Sequence, residues 1–218
     1  MSGYSLKLIA LVTMLIDHIG VALFPNILIL RYIGRISFPI FAFLIVEGFE
    51  HTSNFRKYIT RIIAFAFISE IPFNLLVSGS LIDFEHQNVF FTFAIGLGML
   101  YFVEKNAVFV LNNAFLVMGI LFSVILRTDY SIYGIGLLYI FYVFKYNKTI
   151  MFGLSTAISL ISGGVQSFAG LATVPLIFYN GERGKGILWD NKYSKYVFYI
   201  FYPLHMLVLI GLKHLLYR

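Results

Sequence analysis

Residues 8–24 read LIALVTMLIDHIGVALF, and this stretch decides the fold. Its length approaches the roughly 20 apolar residues that a helical membrane span needs. Yet it carries Asp17 and His18. A charged side chain at mid-bilayer costs at least ~2.5–3.5 kcal/mol, so both need a reason to be there. No small-x-small cleavage pattern follows. The stretch therefore reads as a first permanent span closed by Pro25 and Asn26, not as a cleaved signal.

The rest of the chain has the same character. Of 218 residues, 60% are apolar and 12% are charged. A soluble domain is about half apolar and about a quarter charged. Mean hydropathy is +0.87. This composition excludes a disordered chain and an ordinary soluble globule. The net charge of +6 comes without any dense basic run, so no nucleic acid partner is expected. There is no cysteine, which excludes disulfides, thiol catalysis and Cys-based metal sites. The five histidines are scattered and no HExxH occurs, so no metal is expected.

The predicted fold is all-α, a polytopic transmembrane helix bundle of about nine spans, forming one domain over residues 1–218 in the lipid bilayer. The second span starts at Ile27 or Ile36 and ends at Phe49. The others run from Tyr58 to Val77, Val89 to Val103, Ala107 to Leu126, Ile132 to Phe144, Ile150 to Ile161, Phe168 to Tyr179 and Tyr196 to Leu212. An eight-span variant stays open. With a cytoplasmic N-terminus, eleven basic residues fall inside: Lys7, Arg56, Lys57, Arg61, Lys105, Lys145, Lys148, Arg183, Lys185, Lys192 and Lys195. Five fall outside: Arg31, Arg35, Arg127, Lys213 and Arg218. Cytoplasmic loops carry the excess of Lys and Arg, which fixes this orientation.

At ~1.5 Å per residue, Asp17, His18 and Glu70 lie just outward of mid-membrane and His205 near the middle. Four ionisable groups in one slab point to a shared polar cavity. Asn74 lies one turn beyond Glu70. Asn88, Asp129, Arg31 and Arg35 sit at outer span ends. Adjacent helical residues do not face each other, so Asp17 is expected to face Arg35 and a carboxylate from another helix to orient His18. Glu70 is the candidate.

Several segments resemble the TraX family, named for the F-pilin acetylase. They are Leu6 to Ala10, Ile16-Asp17-His18-Ile19-Gly20, Arg31 to Phe43, Val46 to Phe49, Ser69 to Asn74, Asn88 to Phe93 and Tyr202-Pro203-Leu204-His205. The resemblance implies an integral membrane acyltransferase in a bacterial plasma membrane. It also implies acetyl-CoA or another acyl-CoA as donor and an extracytoplasmic acceptor, a pilin-like protein or a glycan. On that reading His18 is the general base. Glu70 orients it, and Arg35, Asn74 or Asn88 stabilises the oxyanion. His205 and Asp129 line the acceptor side, and Lys57 and Arg61 hold CoA phosphates. The rival reading is a proton-coupled transporter or flippase, which also uses intramembrane Asp, Glu and His.

Overall fold

The computed structural model describes residues 1–184 and 194–216. Lys185, Lys192 and Arg218 and the side chain of Lys195 lie outside the described residues. Helices are the regular elements of the described chain: α1 (Gly3–Ala22), α2 (Leu28–Gly34), α3 (Ser37–Glu50), α4 (Phe55–Val77), α5 (Val89–Lys105), α6 (Phe109–Ile125), α7 (Ser131–Val143), α8 (Lys148–Ile161), a 3-10 segment (Gly164–Ala172) continuing into α9 (Thr173–Ile177), and α10 (Ser194–Leu216).

Side-chain caps set several starts. Ser2, Asn54, Asn88 and Asn147 accept from the backbone N–H of Ser5, Lys57, Phe90 and Ile150. Such caps satisfy donors that the first helical turn leaves free. The break between α2 and α3 follows from Pro39, which has no N–H for the carbonyl of Arg35 four residues earlier. The two helices still form one apolar stretch, Leu28–Glu50. This joins the two alternative starts of the second span into one bent element. Pro72 and Pro203 sit inside α4 and α10.

Among the described residues, four elements are long and apolar enough to cross a membrane: Gly3–Ala22, Leu28–Glu50, Phe55–Val77 and Tyr196–Leu216. This is the build of an integral membrane protein. The other apolar helices are shorter. The 13 residues of α7 cover about 20 Å, less than the ~30 Å hydrocarbon core.

α1 packs on α2, α3 and α10, α4 on α5 and α10, and α7 on α3, α5, α6 and α8. Leu6, Ile40, Leu97, Ile135, Leu138, Phe141 and Met206 fill the centre and are essentially inaccessible. Phe67, Phe109, Ile125 and Ile161 face outward, as lipid-facing residues would. Gly34 matters for packing, because a Cβ there would overlap the side chain of Asp17.

The helix ends gather into two sets. In one, Gly3 and Tyr4 donate to the carbonyls of Glu182 and Arg183 at 2.8 and 3.0 Å. Tyr179 Oη donates to Glu47 Oε2 at 2.9 Å, and Lys145 pairs with Glu50 at 2.5 Å. In the other, residues 85–88 meet residues 127–129. Gln87 N–H donates to Arg127 O at 3.0 Å and Asp129 N–H to Gln87 O at 2.8 Å, while Arg127 pairs with Glu85.

Candidate functional site

A cavity of about 220 Å³ lies between α1, α3, α5 and α10. α1 contributes Lys7, Met14, Asp17 and His18 to its wall, and α3 contributes residues from Ser37 to Gly48. On each helix the lining covers eleven residue steps, about 16 Å of rise. The cavity is therefore a slot along the helices rather than a bowl. Lys7, Gly48, Tyr58 and Tyr199 line it toward one end. His18, Asp17, Ser37, Asp129 and Tyr130 line it toward the other.

His18, on the slot wall, meets His205 of α10. Its Nδ1 is 2.6 Å from His205 Nε2, and the rings stack at 4.9 Å. The other nitrogen of His205, Nδ1, is 2.6 Å from the carbonyl oxygen of Phe201. That oxygen only accepts, so Nδ1 carries the proton there. In neutral His205, Nε2 is then an acceptor, and His18 Nδ1–H donates to it. This leaves His18 Nε2 with a free lone pair, the tautomer that a general base needs.

Asp17 turns away from His18. Its Oδ2 accepts from Arg31 Nη1 at 2.8 Å and Arg35 Nη2 at 2.6 Å. Asp17 Oδ1 and Arg35 Nε are buried without a hydrogen-bond partner. The guanidinium of Arg35 stands 5.6 Å from the Tyr130 ring centroid, and Tyr130 stacks on Phe38 at 3.8 Å. The segment before α7 is strained: Arg127, Tyr130 and Ser131 have φ of 51°, 61° and 29°. Such non-glycine conformations cost of order 1–3 kcal/mol each and persist only where the surroundings enforce them. Here Tyr130 N–H donates to Asp129 Oδ1 at 3.0 Å, and Thr92 Oγ1 donates to Asp129 O.

The expectation that Glu70 orients His18 is corrected. Glu70 Oε2 accepts from the side-chain and backbone N–H of Asn88. Asn88 Nδ2 also donates to Ala66 O at 2.7 Å, and its Oδ1 caps α5. Asn88 thereby clasps the C-terminal half of α4 to the start of α5. Its hydrogen-bonding groups are occupied by this clasp. Asn74, one turn along α4, is 3% exposed. Neither asparagine lines the slot, and nor does Glu70. The four ionisable groups expected in one slab thus divide. His18 and Asp17 line the slot, His205 stands against His18, and Glu70 belongs to a separate joint.

Asp129 lies between the two, lining the slot and accepting from His86 Nε2–H at 3.3 Å. In this loop pair, outside the helices, the bond to Asp129 raises the pKa of His86 against the opposing effect of burial. Asp83 is held below its ordinary range by the backbone N–H of Glu85. Lys57 is exposed at the start of α4 and does not line the slot. Arg61 is a turn deeper, 5.8 Å from the ring of Tyr58, which does line it. Lys7 and Tyr130 reach the slot, and sequence reasoning gave neither a site role. Lys7 was legible only as a topology charge, although it lies eleven residues before His18 on α1.

A family profile described as TraX protein matches residues 2–213. A probable fimbrial assembly protein FimC, serogroup H1, of Dichelobacter nodosus is 27% identical over 240 residues, covering 97% of this chain and 96% of that protein. An uncharacterized protein of Rickettsia prowazekii (strain Madrid E) is 28% identical over 179 residues, 80% of this chain and 68% of that one. No solved structure matches.

Proposed function

The chain belongs to the TraX family, and from that premise we propose that it is an integral membrane acyltransferase. It moves an acetyl or short acyl group from cytoplasmic acyl-CoA to a hydroxyl or amine outside the membrane. The observation that carries this reading is the slot with a cation at one end and a base-ready histidine at the other. A relative called a fimbrial assembly protein supports an acceptor at the cell surface, a pilin-like protein or a glycan.

The bundle is read as one domain of nine spans, with α2 and α3 forming one span and the 3-10 segment with α9 another. The two sets of tied helix ends support this alternation. The excess of basic residues assigns the Lys7 end to the cytoplasm. CoA phosphates are charged and costly to bring into hydrocarbon. The nucleotide therefore stays at the inner face near Lys7, Arg61 and Arg183. The thin pantetheine arm extends along the slot and brings the thioester to His18.

His18 Nε2 takes the proton of the acceptor as its oxygen or nitrogen bonds to the thioester carbon. The carbonyl electron pair moves onto oxygen. When it returns, the carbon–sulfur bond breaks and the CoA sulfur leaves with the proton from His18. His205, fixed by Phe201, orients His18 and accepts from its Nδ1–H throughout. Asp17 holds Arg31 and Arg35 near the reacting end. Arg35 Nε, a buried donor with no partner, is available to the oxyanion.

The test uses purified protein in lipid nanodiscs supplied with acetyl-CoA. The chain has no cysteine, so a thiol reagent reads released CoA without background from the protein. Release of CoA by the wild type, accelerated by a surface polymer and lost in His18→Ala, is expected. Protein that binds acetyl-CoA, never releases CoA and instead carries protons across sealed vesicles overturns the assignment in favour of transport.

A further inference from the structure

Neither candidate asparagine lines the slot, and a hydroxyl that does line it has no assigned part. Tyr130 lines the reacting end, and its hydroxyl makes no hydrogen bond among the described residues. Its position is nevertheless closely fixed. Phe38 lies flat against the ring at 3.8 Å with an interplanar angle of 8°. Arg35 stands against the same ring. The backbone is left-handed at φ 61° and ψ −9°, held by Asp129 before it and by the bond from Gly134 N–H to Tyr130 O at 2.8 Å after it. Gly134 itself leaves space for this arrangement, since a Cβ there would crowd Thr92, Phe38 and Tyr130. A side chain merely filling space needs neither a strained backbone nor a phenol. A donor that must meet developing charge in a water-poor site benefits from being fixed beforehand.

We propose that Tyr130 is a further catalytic residue, whose hydroxyl donates to the oxygen of the thioester carbonyl as that oxygen becomes an oxyanion. This rests on the acyl-transfer reading above. Tyr130 keeps its proton. Bond formation at the carbonyl carbon moves the π pair onto oxygen, the O–H of Tyr130 stabilises it there, and its return expels the CoA sulfur. Arg31 and Arg35, neutralised in part by Asp17, stand beside the developing charge without forming a fixed ion pair with it. Phe38 and Arg35 position the ring. The slot thus divides its labour: the histidine pair handles the proton and Tyr130 the negative charge.

Tyr130→Phe removes only the hydroxyl and keeps the stack. The expected result is a kcat lowered about 100- to 1,000-fold, the effect of losing one oxyanion donor. KM for acetyl-CoA, affinity for a nonreactive thioether analogue and the thermal midpoint should stay at their wild-type values. A kcat within about threefold of wild type overturns the proposal while leaving acyl transfer standing. So does a fall in the thermal midpoint and analogue affinity that accounts for the lost rate, which would make Tyr130 structural. A wild-type protein that releases no CoA overturns both readings together.

Discussion

Two polar groups occupy neighbouring parts of the bundle and use their hydrogen bonds in opposite ways. In the joint between α4 and α5, Asn88 caps its own helix, holds the carbonyl of Ala66 and donates twice to Glu70. Along the slot, His18 has one nitrogen engaged and one free, and Tyr130 has a hydroxyl with no hydrogen bond among the described residues, while Arg35, behind Asp17, has a buried Nε without a partner. Both groups are built from costly buried polar residues. The joint spends the donors of Asn88 within the protein, and what stays buried without a partner there is acceptors, Glu70 Oε1 and Asn74 Oδ1. The slot leaves donors and an acceptor facing an unfilled volume, the arrangement a reacting substrate needs.

The sharpest way to break this contrast is to remove the free base. His18→Ala should lower CoA release about 100- to 10,000-fold, the range for losing a general base, with expression and melting close to wild type. His205→Ala should cost less, because the base remains and only its orientation is lost. If His18→Ala retains near-normal turnover, the slot is no more reactive than the joint and the contrast collapses.

The reverse experiment is Asn88→Ala. It removes a helix cap, typically worth about 1 kcal/mol. It also leaves the Ala66 carbonyl and the Glu70 carboxylate short of a donor, at about 1–3 kcal/mol. We expect a loss of about 2–4 kcal/mol of stability, read as a lower thermal midpoint in nanodiscs, with CoA release per folded molecule unchanged. A stable Asn88→Ala protein with impaired turnover would return Asn88 to the substrate as an oxyanion donor.

The difference between the groups also explains which of them the sequence exposed. Asp17 could be aimed at Arg35 because helix geometry alone separates it from His18 and leaves a basic partner as the way to neutralise it. The apolar stretches and the charge bias reveal the membrane class in the same direct way. The partner of His18 could not be read, because it lies 187 residues away and depends on α1 packing beside α10. Periodicity tells which face Glu70 occupies but not which helix meets that face. The contact turned out to be α5, through a cap residue that also reads as an ordinary helix start. Tyr130 was still less legible. Its left-handed backbone carries no glycine or asparagine to signal it, and it is imposed by Asp129, Thr92 and Gly134 from around it.

A milder test concerns the Lys7 end of the slot. Lys7→Gln should weaken acetyl-CoA binding by about fivefold, equivalent to ~1 kcal/mol, the scale of one screened charge pair. The salt dependence of binding should fall with it, while kcat at saturating donor stays unchanged. Binding that is insensitive to both salt and Lys7 would place the nucleotide elsewhere.

The smallest effect belongs to the loop junction beyond both groups, where His86 ties residues 85–88 to Asp129. Its Nε2–H donates to Asp129 Oδ1 at 3.3 Å, and Phe73 stacks on its ring at 5.5 Å. The hydrogen bond and charge of Asp129, with the charges of Asp83 and Glu70, raise its pKa, and desolvation opposes them. A histidine whose folded pKa lies above its unfolded value of about 6.5 stabilises most below that value. The contribution is lost as pH rises through the folded pKa. The junction should therefore loosen from about pH 6.5 upward. The effect should be a few tenths of a kcal/mol, since the ion pair is partly exposed to solvent. Hydrogen exchange at the amides of Gln87 and Asp129, which carry the junction's backbone bonds, reads this directly. After correction for the intrinsic pH dependence of exchange, their protection should fall across that range in wild type and stay flat in His86→Gln. Equal, pH-independent protection in both proteins would mean that the backbone bonds and the Glu85–Arg127 pair hold the junction alone. The histidine would then have no influence on the Asp129 end of the slot.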